Sequence, residues 1–190
     1  YTAGSGTATI TGGTTTTTFD VTLNNEALYE ASENLTVTLS NPTNSTINDG
    51  TGVATITNDD TGPNITVNDN SATEGSNVPF TISLSTAAGT PITVDWATSA
   101  GTAISGTDFT ANSGTATVAT GSTTAPIVNI VTAADALDEV AETLNIDLTN
   151  PSAGAITDAQ GVGTINDNTA APTISVDDVV ITEGATATFT

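Results

Sequence analysis

Apolar and polar residues alternate along most of the chain, in short runs separated by turn-forming residues. Thr and Val are frequent in these runs, and clusters of Gly, Asn, Asp and Ser interrupt them about every ten residues. A period of two is typical of strands that bury one face, and β-branched residues favour strands. The pattern therefore predicts an all-β fold.

Seven strands are predicted between residues 61 and 169. Their sequences are NITVND, VPFTISLS, PITVDWAT, GTATVAT, PIVNIVT, ETLNIDLT and GVGTIND. One face of the second, third and sixth strands is apolar, and we expect these faces to form the core between two sheets about 10 Å apart. The residues of these faces are Phe80, Ile82, Leu84, Ile92, Val94, Trp96, Leu144, Ile146 and Leu148.

The segment AADALDEVAE, from Ala133 to Glu142, is the one stretch with helical character. It is short, and the related segment NNEALYEASE, from Asn24 to Glu33, opens with two asparagines. We therefore interpret it as an acidic turn or a single helical turn.

The sequence repeats itself with an offset of 108 or 109 residues. YTAGSGTATI from Tyr1 matches FTANSGTATV from Phe109, and LSNPT from Leu39 matches LTNPS from Leu148. A repeat of this length has the size of one small domain. We therefore predict the later part of one repeat in residues 1–60, a complete repeat in 61–169 and the start of another in 170–190.

The partial repeats predict self-association. Residues 1–60 hold what would be the last four strands of a sandwich and residues 171–190 the first two, so neither part can bury its apolar face alone. Open strand edges pair readily with other chains. We expect an end-to-end fibre, either as a slice of one covalent array or through strand exchange between subunits. The absence of Met indicates a processed chain or a piece of a longer one.

Charge excludes several classes of partner. The chain has 21 acidic residues and no Lys, Arg or His, so no carboxylate can find a side-chain cation. Nucleic-acid binding is excluded because phosphates are neutralised by Lys and Arg, and anionic membrane surfaces are disfavoured for the same reason. No apolar run is long enough to span a bilayer. The carboxylates must therefore be neutralised from solution.

The composition does not favour catalysis. Without His, Cys or Lys, the usual nucleophile–base pairs cannot form. Paired carboxylates hydrolyse glycosides in some enzymes, but only 4% of this chain is aromatic, and no aromatic-lined cleft is indicated. We expect a protein that is not an enzyme.

Three motifs together resemble the Calx-beta domain along all 190 residues. They are Thr-Glu-Gly, the stretch GTAISGTDF and the stretch ETLNIDLTNP, of which the first and the third recur with the repeat in whole or in part. The family is known from sodium/calcium exchangers, an integrin cytoplasmic tail and large bacterial surface proteins. The resemblance implies tandem immunoglobulin-like, seven-stranded β-sandwiches that hold calcium at one end.

The resemblance also implies a set of calcium ligands. Those of the complete repeat are Glu74, Asp135, Glu139 and Asp167, with Glu142 nearby. Those of the partial copies are Glu26, Glu30, Asp59, Asp60 and Glu183. Ala100 stands where strong binders of the family have an acid, and the terminal run of three Asp is reduced to Asn166, Asp167 and Asn168. The alternative for each acid is a solvated surface carboxylate.

The residues themselves agree with calcium as the cofactor. Calcium takes six to eight oxygen ligands and tolerates irregular geometry, which converging loops can supply. Asp69, Asp177 and Asp178, near the starts of copies, could add ligands at the joints between domains. Asp108, in contrast, is expected to cap its own turn.

Two functions remain open at this point. The first is a structural or adhesive role, as the stalk, adhesin shaft or filament of an extracellular, bacterial surface protein, made rigid by calcium. The second is a calcium-sensing regulatory module of the exchanger type. The absence of basic residues favours the first, because a regulatory module usually offers a mixed-charge surface to its partner. The receptor is unknown.

Overall fold

Twelve strands and no helix form the chain in the computed structural model, which describes residues 1–190. The chain divides into unit 1, Tyr1–Thr61, and unit 2, Gly62–Thr190. No helix in the structure is long and apolar enough to cross a membrane. The prediction of an all-β fold is confirmed.

Unit 1 contains two strands, β1 (Glu33–Thr38) and β2 (Thr51–Ile56). They form an antiparallel pair in which Leu35 lies opposite Ala54. Leu35, 6% exposed, is the one buried apolar side chain of this unit. The prediction of four strands in residues 1–60 is therefore wrong, because the strands expected before β1 have no second sheet against which to bury their apolar residues.

Unit 2 contains ten strands between residues 64 and 166. They are β3 (Asn64–Val67), β4 (Asn70–Thr73), β5 (Asn77–Phe80), β6 (Ile82–Leu84), β7 (Ile92–Ala100), β8 (Ser113–Val118), β9 (Val128–Val131), β10 (Glu142–Thr149), β11 (Ala155–Ile156) and β12 (Gln160–Asn166). All seven predicted strands are present. The second is divided at Thr81, since β5 pairs with β9 and β6 pairs with β3.

The strands of unit 2 form a sandwich. One sheet has the order β4-β12-β10-β7-β8, and the other side consists of the sheets β11-β3-β6 and β5-β9. Strand β4 runs parallel to β12, whereas β10 is antiparallel to both β12 and β7. The predicted core residues lie between the sheets, with Phe80, Ile82, Leu144 and Ile146 all 0% exposed.

Trp96 differs from the prediction of a core residue, because its side chain is only half-buried. It lies opposite Gly114 of the edge strand β8, and a Cβ atom on Gly114 would lie 3.2 Å from the Trp96 ring. The indole therefore covers a glycine at the edge of the sheet instead of filling the centre of the core.

Residues 171–190 contain no strand, so the prediction of two strands there is also wrong. Ile174 is 98% exposed and Phe189 is 59% exposed. Backbone ladders need a neighbouring strand, and in this segment the apolar residues have no sheet to pack on.

Candidate calcium site

The acidic groups of unit 2 meet at one end of the sandwich. Carboxylate oxygens of Glu74, Asp135 and Glu139 lie within 4.8 Å of one another, and so do those of Asp108, Glu139 and Glu142. These five side chains and Asp167 line one cavity of about 80 Å³. Glu139 belongs to both groups, so it lies at the centre of the cluster.

Glu74 is positioned by the Thr-Glu-Gly turn that follows β4. Its backbone N–H donates to the carbonyl of Asn166 over 2.9 Å, which joins the turn to the end of β12. Gly75 has a φ of 76°, and a Cβ there would lie 2.8 Å from the Cβ of Ala134. Only glycine allows both this conformation and this close approach, so the motif brings Glu74 beneath the loop that carries Asp135.

Asp135 and Glu139 lie on the segment 133–141, here named the acidic loop. The segment is neither helix nor strand, which agrees with the acidic turn inferred from the sequence. Its start is fixed where Ala133 donates to the carbonyl of Asp108 over 2.8 Å and accepts from Gly75 over 2.9 Å. The Asp135 carboxylate accepts from the N–H of Leu137 over 2.8 Å, so this turn is held by one of its own acids.

Two carboxylate oxygens in this end of the sandwich are buried and have no hydrogen-bond partner. They are Oε1 of Glu74, whose side chain is 8% exposed, and Oδ1 of Asp167. The other oxygen of Asp167 accepts from the N–H of Thr169 over 3.0 Å. An unpaired buried acceptor costs about 1–3 kcal/mol. No protein donor therefore compensates for the burial of these two oxygens.

Crowding of the acids shifts two of their pKa values. Partial burial raises the pKa of Glu139 above 4.5, and the charges of Asp135, Asp108, Glu74 and Asp167 raise it further. Burial also raises the pKa of Glu142, together with a hydrogen bond to Asp108 and the charges of its neighbours. Each carboxylate is therefore harder to ionise in the absence of a positive charge.

Asp108 has two roles, of which the sequence indicated one. Its carboxylate accepts from the N–H of Ile104 over 2.6 Å, so it caps its own turn as predicted. It also lies beside Glu139 and Glu142 in the second group of acids, a contact that its position in the sequence did not indicate. The conformation of the loop between β7 and β8 produces this contact, and no local spacing in the sequence could have revealed it. Ala100 does not line the cavity.

The acids of unit 1 are brought together only in part. Glu26 raises the pKa of Glu30, first through side-chain hydrogen bonding and then through its charge, and burial, Glu33 and Asp60 add smaller effects. Asp59 is exposed, and Glu183 lies in the strand-free segment 171–190. Glu26, Glu30 and Asp60 thus lie near one another. Unit 1 contains no Thr-Glu-Gly turn, so its acids have no equivalent of Glu74.

Asp69 and Asp177, expected at the joints, bind backbone instead. Asp69 accepts from the N–H of Val162 over 2.7 Å, at the start of β12, and Asp177 accepts from the N–H of Thr190 over 2.7 Å. Asp178 is exposed. Two of the three acids thus hold backbone segments in place.

The comparisons with known proteins agree with this architecture. The structure is similar to the crystal structure of the apo form of the Calx CBD1 domain, with a TM-score of 0.52, 20% identity, and coverage of 56% of this chain and 98% of that one. It is also similar to CBD12 from CALX1.2, with a TM-score of 0.51, 21% identity, and coverage of 55% of this chain and 45% of that one.

A further similar structure is described as the calcium binding domain CBD12 of CALX1.1, with a TM-score of 0.50, 21% identity, and coverage of 55% of this chain and 44% of that one. No curated protein sequence matches this chain closely enough to count as a relative. The Calx-beta domain model matches residues 1–62 and 59–178. The chain therefore belongs to the Calx-beta domain family.

Proposed function

We propose that unit 2 binds calcium through Glu74, Asp135, Glu139 and Asp167, with Asp108 and Glu142 completing the acidic end. The observation that carries this proposal is the pair of buried, unpartnered oxygens on Glu74 and Asp167, next to carboxylates within 4.8 Å of one another. Because the protein has no Lys, Arg or His, no basic side chain can neutralise these carboxylates. The neutralising cation must therefore come from solution.

The donor set fits calcium better than magnesium or zinc. All the donors are oxygens, they come from irregular loops, and they outnumber the one or two carboxylates that magnesium usually takes. Zinc prefers His and Cys, which the chain lacks. When bound, the cation would supply charge neutralisation, while Glu139 would link the two groups of acids.

Melting of the full chain tests this proposal. With calcium at a hundredfold excess over Kd, binding to the native state alone stabilises unit 2 by about 2.7 kcal/mol. Trp96, the single tryptophan, lies in unit 2 and reports its unfolding by fluorescence. Identical melting curves in calcium and in chelator, at equal ionic strength, would rule the site out.

For the biological role we propose a calcium-stiffened structural or adhesive repeat of an extracellular bacterial surface protein, without catalytic activity, that associates end to end. Support comes from the tandem Calx-beta repeats and from the absence of basic residues. The calcium-sensing regulatory module fits the same site, and the similar CALX1.1 structure is called a calcium binding domain.

Affinity separates these two roles. Extracellular calcium modules have Kd values of about 10⁻⁴–10⁻³ M, whereas sensors have values of about 10⁻⁷–10⁻⁵ M. We expect titration calorimetry of the full chain to give a Kd in the first range. A value in the second range would favour the sensor.

A further inference from the structure

The fold buries two polar side chains, and both lie at the acidic end of unit 2. They are Glu74, 8% exposed, and Thr132, 4% exposed. Glu74 belongs to the candidate calcium site, whereas Thr132 does not line its cavity. Burial of a hydroxyl costs free energy unless the hydroxyl is hydrogen-bonded. The bond that Thr132 makes therefore indicates what its side chain contributes to the structure.

The Thr132 hydroxyl donates to the carbonyl of Ser76 over 2.6 Å. Strands β5 and β9 pair as far as Asn77 and Val131, so this bond lies one residue beyond the end of their ladder. The N–H of Ser76 donates to the carbonyl of Thr73 over 3.0 Å and closes the Thr-Glu-Gly turn. Both backbone groups of Ser76 are therefore engaged, one within the turn and the other with Thr132.

Residues 132 and 133 join three segments that carry acids of the site. The carbonyl of Ala133 accepts from the N–H of Gly75 over 2.9 Å, and its N–H donates to the carbonyl of Asp108 over 2.8 Å. Thr132 forms an isolated antiparallel bridge with Phe109. These backbone contacts do not depend on the side chain at position 132, so the hydroxyl adds a bond that only this residue type supplies.

The preceding copy of the repeat has an apolar residue at this position. Leu23 lies 109 residues before Thr132, just as Glu30 lies 109 residues before Glu139. The repeat therefore accepts an apolar side chain where unit 2 has a buried hydroxyl. We infer that the hydroxyl serves the neighbouring turn and not the strand that ends at Val131.

We propose that Thr132 is a positioning residue for calcium binding, an inference that rests on the proposed function of unit 2. Its hydroxyl holds the turn that carries Glu74 against the start of the loop that carries Asp135 and Glu139. The carboxylate oxygens of these three acids lie within 4.8 Å of one another, although the two segments are far apart in the sequence. Hydrogen bonds that orient metal ligands are worth about 10–100-fold in metal affinity.

Two substitutions in the full chain separate the hydroxyl from the rest of the side chain. Thr132→Val keeps the branched shape and removes the donor, whereas Thr132→Ser keeps the donor and removes the methyl group. Melting followed by Trp96 fluorescence over a calcium titration reports on unit 2. The calcium concentration at which the melting temperature begins to rise should be about tenfold higher or more for the valine variant. For the serine variant it should stay close to that of the native chain.

Val118→Ala is the control for general destabilisation. Val118, 1% exposed, ends β8 and lies opposite Ile92 at the start of β7, and it does not line the acidic cavity. Its truncation should lower the melting temperature in chelator and leave the calcium concentration of onset unchanged. A shift of onset in the valine variant but not in this control would assign the effect to positioning of the ligands.

The same onset in the native chain and in Thr132→Val would overturn the proposal, and the proposed function would then stand without it. A shift in Thr132→Ser or in Val118→Ala as large as that of the valine variant would overturn it as well. If the valine variant gives no cooperative transition, Thr132→Cys, whose thiol is a weak donor, takes its place, and an unshifted onset there would count against the proposal. A native chain that melts identically in calcium and in chelator would refute the proposed function and this inference together.

Discussion

Leu39 and Leu148 occupy the same position of the repeat in the two units, yet their surroundings differ. Leu148, in β10, is 4% exposed, whereas Leu39, just after β1, is 49% exposed. Both make the same backbone hydrogen bond. The N–H of Leu39 donates to the carbonyl of Gly50 over 2.8 Å, and the N–H of Leu148 donates to the carbonyl of Ala159 over 2.7 Å. Local sequence thus sets the hairpin in both units, and burial depends on the strands that only the complete repeat contains.

The asparagine turns also form from local sequence in both units and gain a further contact only in unit 2. Asn41 and Asn150 both have a positive φ, 51° and 50°, and each precedes a proline in the Asn-Pro motif. In unit 2 the side chain of Asn150 also donates to Asp95 of β7 over 3.2 Å. Unit 1 has no strand equivalent to β7, so the turn forms there without this contact.

The largest expected difference between the two units is in the stability lost when Leu148 or Leu39 is replaced by alanine. We expect Leu148→Ala to lower the free energy of unfolding of unit 2 by about 2–5 kcal/mol, through lost burial and the cavity left behind. Leu39→Ala should change stability by less than about 0.5 kcal/mol, since the side chain is half in solvent. Urea denaturation followed by far-UV circular dichroism and by Trp96 fluorescence measures both. Equal losses would mean that Leu39 is buried in solution.

The sequence predicted those parts of the molecule that depend on local patterning. The seven strands of the complete repeat and its core residues Phe80, Ile82 and Leu144 followed from period-two alternation. The strands expected in residues 1–32 and 171–190 show the same alternation and do not form. Alternation indicates which face would be buried, and a strand also needs a neighbour that supplies hydrogen bonds and a cover for that face.

The site was predicted from the family resemblance and not from spacing. Glu74 and Asp167 are separated by more than ninety residues in the sequence, and parallel pairing of β4 with β12 brings the ends of these strands together. Asp108 was interpreted only as a turn former. The sequence around a turn-capping carboxylate does not show that the same side chain also lies next to acids from distant loops. Asp69 was expected at a joint, but its bond to Val162 shows a structural role.

Neutralisation of Glu139 is expected to affect the melting temperature of unit 2 differently in calcium and in chelator. Glu139→Gln should remove most of the rise in melting temperature that calcium gives to unit 2, because Glu139 belongs to both groups of acids. In chelator the same change should raise the melting temperature slightly, since it relieves repulsion from Asp135, Asp108, Glu74 and Asp167.

Asp158→Asn is the matched control for this variant. Asp158 is exposed in the turn before β12 and does not line the acidic cavity. Its neutralisation removes the same charge at a different place, so the calcium response should be unchanged. Equal losses in both variants would indicate diffuse screening of the charge of −21 instead of a site. Glu33→Gln, in unit 1, should likewise leave the response of unit 2 unchanged.

The smallest effect is the pH dependence of unit 2 in chelator. The pKa values of Glu139 and Glu142 are raised above 4.5, first by burial and then by neighbouring acids. The folded state therefore holds protons at pH values where the unfolded chain has released them. This contribution to stability is fully present below pH 4.5 and is lost as the pH rises through the raised pKa values. Acidification from neutral pH towards 4.5 should thus raise the melting temperature of the calcium-free protein.

Asp95 makes the stability of unit 2 depend on pH in the opposite direction, and at lower pH. Hydrogen bonds from Thr115 and Asn150 hold its pKa below 3.8, so its contribution is present above pH 3.8 and is lost as the pH falls through the lowered value. A maximum of stability between the two ranges is expected in chelator. In calcium the rise towards pH 4.5 should disappear, because protons compete with the cation for the same carboxylates. Glu139→Gln should flatten the chelator curve above pH 4.5, and an unchanged curve would mean that Glu139 titrates normally in the fold.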